Sequence, residues 1–209
     1  MDKYCCFEHM RANEARGADY EIFWRLGTSQ VAVLSIHGGA IEPGTSEIAD
    51  VVAGPDHSFY TFKGLRKTKN KDLHITSTLF DEPRALEIVR NSETVISIHG
   101  CSEDEEIVFV GGIDTALSRC IVERLQQAGF KAFLSEKEMN FRSIKGRDEH
   151  NICNRGRRAM GVQLEISKGL RARMLGDLSH GESIVCRGAL RGFVQAVRDA
   201  VDMSDKREA

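Results

Sequence analysis

The feature that most constrains the fold of this chain is a series of short apolar runs that recur along its length. Each run has four to six residues, which is the length of a buried strand rather than of a helix. Helical patterns lie between several of them, and strands that alternate with helices indicate a largely parallel sheet covered on both faces. The predicted strands are Val31–Ile36, Phe59–Phe62, Leu73–Thr76, Thr94–Ile98, Ile107–Val110, Lys131–Leu134 and Val162–Ile166.

The clearest predicted helix spans Asp114–Ala128. Its residues Leu117, Ile121 and Leu125 repeat at helical spacing, and Gly129 follows as a stop signal. No internal repeat, low-complexity segment or linker interrupts the chain, so we predict a single domain over residues 1–209, with a flexible tail at about 203–209. The other predicted helices are Glu42–Ala53, Pro83–Arg90 and Gly188–Val201.

The size and charge of the chain argue against several classes of protein. It has 209 residues, of which 41% are hydrophobic, and a formal net charge of −2, which suits one domain with its own core. This charge argues against a nucleic-acid or membrane-surface partner, although basic residues cluster at 63–71 and 142–158. No apolar stretch approaches the ~20 residues of a membrane span, and the N-terminus has no signal-peptide pattern. We therefore expect a cytoplasmic protein whose cysteines are reduced.

Two of the predicted strands end in the same tripeptide, Ile-His-Gly. His37 follows the first and is followed by two glycines and Glu42, and His99 follows the second. Ligands of parallel α/β sheets bind beyond the carboxyl ends of the strands, so these side chains are expected to meet in one crevice. Two histidines and a carboxylate are a plausible ligand set for catalytic zinc, with one position left open. The alternative interpretation is a pair of hydrogen-bonded turn histidines, and spacing alone does not separate the two.

Glu165 is anomalous because it lies in a strand that should be apolar. A buried carboxylate costs several kcal/mol unless it is paired or lies at a strand end. One interpretation is a general base whose pKa is tuned by the site, supported by Gln163 on the same face. The other is an edge-strand glutamate that faces water.

Polar residues near these positions are candidates for substrate binding. Asn154, Arg155 and Arg158 precede the strand of Glu165, and an arginine there could bind a carboxylate or stabilise an oxyanion. His74 and Thr76 share one face of the predicted strand Leu73–Thr76 and could also contact substrate. A solvated loop for the arginines and a structural role for His74 are the competing interpretations.

Several motifs together resemble the phage and bacterial poly-γ-glutamate hydrolase family. They run from Val31 to the last predicted helix and comprise HGGAIEPGTSEIAD at 37–50, LHITST at 73–78, FDEP at 80–83, SIHG at 97–100 and NRG with GVQLEIS between 154 and 167. The resemblance implies a fold like that of the zinc carboxypeptidases, a three-layer α/β sandwich around a mixed, largely parallel sheet.

The same resemblance implies site residues and an activity. His37, Glu42 and His99 would hold one zinc ion, Glu165 would be the general base, and Asn154 with Arg155 would lie near a substrate carboxylate. The expected reaction is hydrolysis of γ-glutamyl amide bonds by metal-activated water. The expected partner is anionic poly-γ-glutamate or a γ-glutamyl peptide, for which the basic clusters would form a guiding rim.

Two other functions stay open on the sequence alone. One is a zinc amidohydrolase that acts on another peptide or on an N-acyl amino acid. The other is a non-enzymatic, phage-derived binding protein that uses its basic loops, against which the near-neutral charge counts. The sequence leaves the oligomeric state open.

Overall fold

A computed structural model describes residues 2–135, 146–176 and 187–208 of the chain. Within these residues, seven strands form one mixed sheet in the order β1-β3-β2-β4-β7-β5-β6. Neighbouring strands are parallel except β1 with β3 and β5 with β7, which confirms a mixed, largely parallel sheet. The strands are β1 (Tyr20–Arg25), β2 (Val31–Gly39), β3 (Ser58–Gly64), β4 (Thr94–Cys101), β5 (Ile107–Gly112), β6 (Lys131–Leu134) and β7 (Val162–Ser167).

Helices cover both faces of the sheet and produce the predicted three layers. The core on one face is built with α2, α4, α5 and α6, and the core on the other face is built with α1 and α3. The helices in the described ranges are α1 (Phe7–Arg11), α2 (Thr45–Ala53), α3 (Pro83–Arg90), α4 (Thr115–Gln127), α5 (Lys168–Leu175) and α6 (Arg187–Glu208), with short 3-10 turns at Asn70–Leu73 and Ile152–Asn154.

Local signals explain where the predicted helices begin and end. The side chain of Asp114 caps α4 by accepting from the backbone N–H of Leu117 at 2.9 Å, and Gly129 follows the helix with a φ of 84°. Helix α2 begins at Thr45 rather than at Glu42, because Gly44 adopts a φ of 92° and the residues before it form a loop. Because Glu42 lies in that loop and not in the helix, its side chain can turn back toward the sheet.

The prediction of a strand at Leu73–Thr76 was wrong. Leu73 ends a 3-10 turn and the next residues run as an irregular segment, although Leu73 and Ile75 are buried as their alternation suggested. Apolar alternation anchors this segment to the core, but no neighbouring strand pairs with it in the sheet described above. Among the described α-helices and strands, α1, edge strand β1 and α5 lay outside the sequence predictions.

The end of the chain continues the last helix. Helix α6 runs to Glu208, so the backbone over most of the predicted tail is helical. The division into a single domain and the mobility of residues 203–209 stay predictions. The described part of the chain contains no helix with the length and apolar character needed to cross a membrane. The expected cytoplasmic location likewise stays a prediction.

Candidate metal centre

The carboxyl ends of β2 and β4 bring His37 and His99 together. The two strands are parallel neighbours, and the Nδ1 atoms of the two imidazoles lie 3.1 Å apart. Both side chains are almost completely buried, with 2% and 3% of their surfaces exposed. The sequence-based prediction that these two strand ends converge is therefore borne out in the geometry.

A β-bulge places His37 on the correct face of the sheet. Leu34 pairs with Ser97, so regular alternation would put His37 and His99 on opposite faces. The ladder between β2 and β3 shifts between Ser35 and Gly38, which adds one residue to β2 relative to its partner. The extra residue reverses the alternation, and the His37 side chain then lies on the face that carries His99.

Glu42 completes the cluster from the loop that follows β2. Its backbone N–H donates to the carbonyl of His37 at 2.9 Å, which closes the loop. One carboxylate oxygen lies 3.2 Å from Nδ1 of His37, and the other lies 3.8 Å from Nδ1 of His99. The second oxygen also accepts from the backbone N–H of Gly100 at 2.8 Å. The three side chains thus present their ligand atoms to one point.

Hydrogen bonds on the far side of each imidazole orient it. Nε2 of His37 lies 2.9 Å from the carbonyl oxygen of Ile75, and Nε2 of His99 lies 2.9 Å from Oγ of Ser97. A carbonyl only accepts, so Nε2 of His37 carries a proton, and Nδ1 is the nitrogen that faces Glu42 and that a metal ion would bind. Partners of this kind are what fix the tautomer of a metal-binding histidine.

The geometry and chemistry of the cluster fit a zinc ion. His37, Glu42 and His99 offer ligand atoms that all lie within 4.8 Å of one another. Ligands of tetrahedral zinc, with bonds of about 2.0–2.1 Å, are separated by about 3.3 Å, close to the spacings found here. Two imidazoles and one carboxylate also leave a coordination position open, as a catalytic zinc site requires.

The charge states of Glu42 and His99 suit metal binding. Burial alone would raise the pKa of Glu42, but the charge of His37 and its hydrogen bond outweigh burial and lower it to about 2. Burial lowers the pKa of His99 to about 3. Glu42 is therefore a carboxylate and His99 a neutral imidazole at neutral pH, the forms in which they bind a metal.

Glu165 lies beside the cluster on β7. It is the register partner of His99 in the β4–β7 ladder, so the two side chains leave the sheet on the same face. Burial, followed by the negative charge of Glu42, raises its pKa well above the ordinary value. Gln163 donates to Oε1 of Glu165 at 2.7 Å, and Asn151 in turn donates to Oε1 of Gln163 at 2.8 Å. Two successive hydrogen bonds between side chains therefore orient the carboxyl group of Glu165.

Asn154 lies away from the histidines and holds loops together. Its amide donates to the carbonyls of Gly146 and Asp148 at 2.7 and 2.9 Å, and its oxygen accepts from the N–H of Gly161 at 3.0 Å. Gly161 precedes Glu165 by four residues, roughly 13 Å along an extended strand. Asn154 therefore lies by the amino-terminal end of β7, whereas the histidines lie at the carboxyl ends of β2 and β4.

Arg155 and Arg158 make contacts of the same structural kind. Arg155 donates from Nη2 to the carbonyl of Thr78 at 2.7 Å, from Nη1 to that of Phe80 at 3.4 Å and from Nε to that of His150 at 2.7 Å. Nη1 of Arg158 lies 3.2 Å from a carboxylate oxygen of Asp114, the cap of α4. The predicted substrate roles of Asn154, Arg155 and Arg158 stay predictions, which these contacts do not favour.

His74 and Thr76 lie at the metal cluster, although their segment is not a strand. The ring of His74 stacks on that of His37, with 3.9 Å between the centroids and an interplanar angle of 26°. Nδ1 of His74 lies 2.8 Å from the carboxylate of Asp2, and Thr76 donates to the same carboxylate from its backbone N–H and its hydroxyl. His74 and Thr76 could be found in the sequence, but Asp2 could not, since nothing in the sequence links it to residues so far along the chain.

A cleft of about 620 Å³ opens beside the cluster. Arg171 was not among the predicted site residues; it is 4% exposed and donates to the carbonyls of Ile166, Pro43 and Cys101. Its close packing on Gly100, where an added Cβ would lie 2.7 Å from the guanidinium carbon, could not be read from the sequence. The cleft is lined by Asp2, Ile41, Glu42, Pro43, Lys71, His74, Gly100, Cys101, Ser102, Glu103, Lys168 and Arg171.

Comparison with known protein families identifies the family of this chain. The family model described as poly-gamma-glutamate hydrolase matches residues 4–195. The chain belongs to the poly-γ-glutamate hydrolase family. Two UPF0714 proteins, YndL and YoqZ, are similar to this chain in sequence. YndL of Bacillus subtilis (strain 168) is 42% identical over 178 residues, which are 85% of this chain and 69% of YndL. The SPbeta prophage-derived YoqZ of the same strain is 39% identical over 173 residues, 83% of this chain and 61% of YoqZ.

Solved structures agree with the family assignment. A bacteriophage poly-γ-glutamate hydrolase superimposes with a TM-score of 0.91 at 30% identity, with 99% of both chains covered. The zinc-free apo form of YndL superimposes with a TM-score of 0.89 at 36% identity, with 98% of this chain and 99% of that chain covered. The fold of this chain is therefore that of the poly-γ-glutamate hydrolases over nearly its whole length.

Proposed function

We propose that this member of the poly-γ-glutamate hydrolase family is a zinc-dependent amidohydrolase that cleaves γ-glutamyl amide bonds of poly-γ-glutamate. The observation that carries the proposal is the buried cluster of His37, Glu42 and His99 with Glu165 on the adjacent strand. One zinc ion is the proposed occupant. It fits the donor set, and the structure of the related YndL is that of its zinc-free apo form.

The chain itself supplies the base and its orientation. A zinc ion held by His37, Glu42 and His99 would polarise the amide carbonyl and lower the pKa of a water molecule toward ~7. Glu165 takes a proton from the attacking water and returns it to the leaving amide nitrogen. Gln163 donates to Oε1, so we assign Oε2 as the atom that carries the proton. The raised pKa of Glu165 makes its carboxylate a stronger base than an exposed glutamate.

The basic residues of the cleft are candidate partners for an anionic polymer, and Asp2, Glu42 and Glu103 line the same cleft. Every unit of poly-γ-glutamate has a free α-carboxylate, and Lys71, Lys168 and Arg171 all line the cleft. Of the basic cluster at 63–71, Lys63 instead pairs with Glu47 at 3.1 Å, and Arg66 pairs with Asp19 at 2.8 Å. Only part of the predicted guiding rim thus borders the cleft, and residues 142–145 of the second basic cluster lie outside the described residues.

The decisive test combines metal analysis with hydrolysis of poly-γ-glutamate. We expect Glu165→Gln to keep its zinc and to lose about 100-fold or more in kcat, because an amide cannot accept the proton. Glu123→Gln is the matched control, since Glu123 is exposed on α4 and is not among the residues that line the cleft. Full hydrolysis by zinc-loaded Glu165→Gln would show that the assigned base is wrong. If the wild-type protein instead cleaved only other peptides or N-acyl amino acids, the substrate assignment would fail while the amidohydrolase chemistry stood.

A further inference from the structure

The N-terminal segment reaches across the chain and places a carboxylate beside the metal cluster. Oδ1 of Asp2 lies 2.8 Å from Nδ1 of His74. Oδ2 accepts two hydrogen bonds of 2.6 Å, one from the backbone N–H and one from the hydroxyl of Thr76. An imidazole, an amide and a hydroxyl thus converge on both oxygens of one carboxylate, which is a geometry that binds carboxylates in general.

The position of these donors is fixed relative to the metal ligands. Between His74 and Thr76, the carbonyl of Ile75 accepts from Nε2 of His37, and the His74 ring stacks on the His37 ring. Asp2 and His74 also line the cleft together with Glu42. Asp2 and His74 therefore lie at the wall of the cleft next to the cluster, and the donors of Thr76 reach Asp2 from the same segment, which the contacts with His37 hold in place.

We propose that His74 and Thr76 form a subsite for a substrate carboxylate, and that Asp2 occupies this subsite until substrate displaces it. The proposal rests on the proposed function. In a γ-linked glutamate polymer, the Cα that bears each amide nitrogen also bears a free carboxylate, so a carboxylate accompanies every scissile bond. A carboxylate subsite next to the metal cluster would select such bonds over ordinary peptide bonds.

Because Asp2 occupies the subsite, the proposal predicts a change in KM when Asp2 is replaced. A bound intramolecular carboxylate reduces the fraction of enzyme that can accept substrate. Weaker binding of the Asp2 carboxylate therefore lowers the apparent KM without changing the chemical step. We expect Asp2→Asn to lower KM for poly-γ-glutamate roughly threefold to tenfold with little change in kcat, because the hydrogen bonds lose their ionic partner. We expect Thr76→Val to raise KM by a similar factor in the Asp2→Asn background, because it removes a donor to substrate there without also releasing the Asp2 carboxylate.

The experiment measures KM together with binding of glutarate, a simple dicarboxylate, to the full zinc-loaded chain by calorimetry. Asp2→Asn is expected to bind glutarate several-fold more tightly than the wild type, and Thr76→Val in the Asp2→Asn background is expected to abolish that gain. Asp72→Asn is the matched control for lost negative charge, since Asp72 lies near the same segment and pairs with Lys3 at 4.0 Å.

Each outcome decides the proposal. If Asp2→Asn lowers the melting temperature and leaves both KM and glutarate affinity unchanged or weaker, Asp2 is an anchor of the fold and the proposal is wrong. An equal gain in Asp72→Asn would also overturn it, because the effect would then be general electrostatics. If the wild type does not hydrolyse poly-γ-glutamate but glutarate binding follows the expected pattern, the subsite stands and only the proposed function fails.

Discussion

His99 and Glu165 are register partners on the adjacent parallel strands β4 and β7. The same ladder pairs Ser97 with Gln163, so the orienting partner of the histidine lies beside the orienting partner of the glutamate. One strip of one sheet face thus holds a candidate metal ligand, a candidate base and the two side chains that orient them. Their relative positions are set by backbone hydrogen bonds rather than by mobile loops, which favours a rigid catalytic geometry.

Metal content tests the cluster directly. We expect His99→Ala to lose the zinc of the wild type, about one ion per chain, because only His37 and Glu42 would remain as ligands. Ser97→Ala is expected to keep the ligand but to weaken zinc binding about 10- to 100-fold, since the His99 ring loses its orienting hydrogen bond. Elemental analysis and competition with a chelator measure both effects. Stoichiometric zinc in His99→Ala would exclude the proposed ligand set.

The bulge in β2 predicts a strong effect at Gly38. A Cβ at this position would collide with the hydroxyls of Ser46 and Thr61, which hydrogen-bond to each other at 2.7 Å. We expect Gly38→Ala to lower the free energy of unfolding by about 1–3 kcal/mol and to reduce zinc affinity, because the bulge aims His37. Denaturant unfolding with zinc titration measures both. Gly188→Ala is the matched control, because a Cβ there meets nothing within 4 Å; equal effects in the two variants would contradict the argument.

Gln163 is expected to act through Glu165. Replacing Gln163 with alanine removes the hydrogen bond to Oε1 and the connection to Asn151. We expect kcat for poly-γ-glutamate to fall about tenfold while zinc content is unchanged, because a base that loses its orientation transfers protons less efficiently. Gln195→Ala is the control, as Gln195 pairs only with Asp199 on the surface of α6 among its described contacts. Unchanged kcat in Gln163→Ala would remove Gln163 from the mechanism.

His57 gives a pH dependence of stability away from the metal centre. Burial, followed by the charge of Arg198, lowers its pKa below the ordinary value of 6.5. The folded state then binds fewer protons than the unfolded state, so stability falls as the pH drops below the unfolded pKa. We expect the free energy of unfolding to lose less between pH 7.5 and 5 in His57→Gln than in the wild type, as measured by denaturant unfolding. The exposed His150→Gln serves as control, and an identical loss in His57→Gln and wild type would contradict the assignment.

The histidine and glutamate positions could be found in the sequence because they interrupt apolar periodicity. His37 and His99 end their strands in the same tripeptide, and Glu165 places a charge where burial is otherwise complete. Such residues cost stability unless a site compensates them, so they identify the site without a structure. By contrast, Arg155 was predicted to bind substrate because of its charge, yet its guanidinium is hydrogen-bonded to backbone carbonyls. Charge alone does not tell whether a side chain serves substrate or fold.

The sequence by itself determined the sheet-and-helix architecture and the chemistry available at two strand ends, because periodicity and residue type are local properties. Only the tertiary structure decided how those residues meet. The bulge between Ser35 and Gly38 turns His37 to the face of His99, and strand alternation alone predicts the opposite. Asp2 reaches His74 and Thr76 across more than 70 residues of chain. Both depend on the packing of distant segments, and no local pattern carries that information.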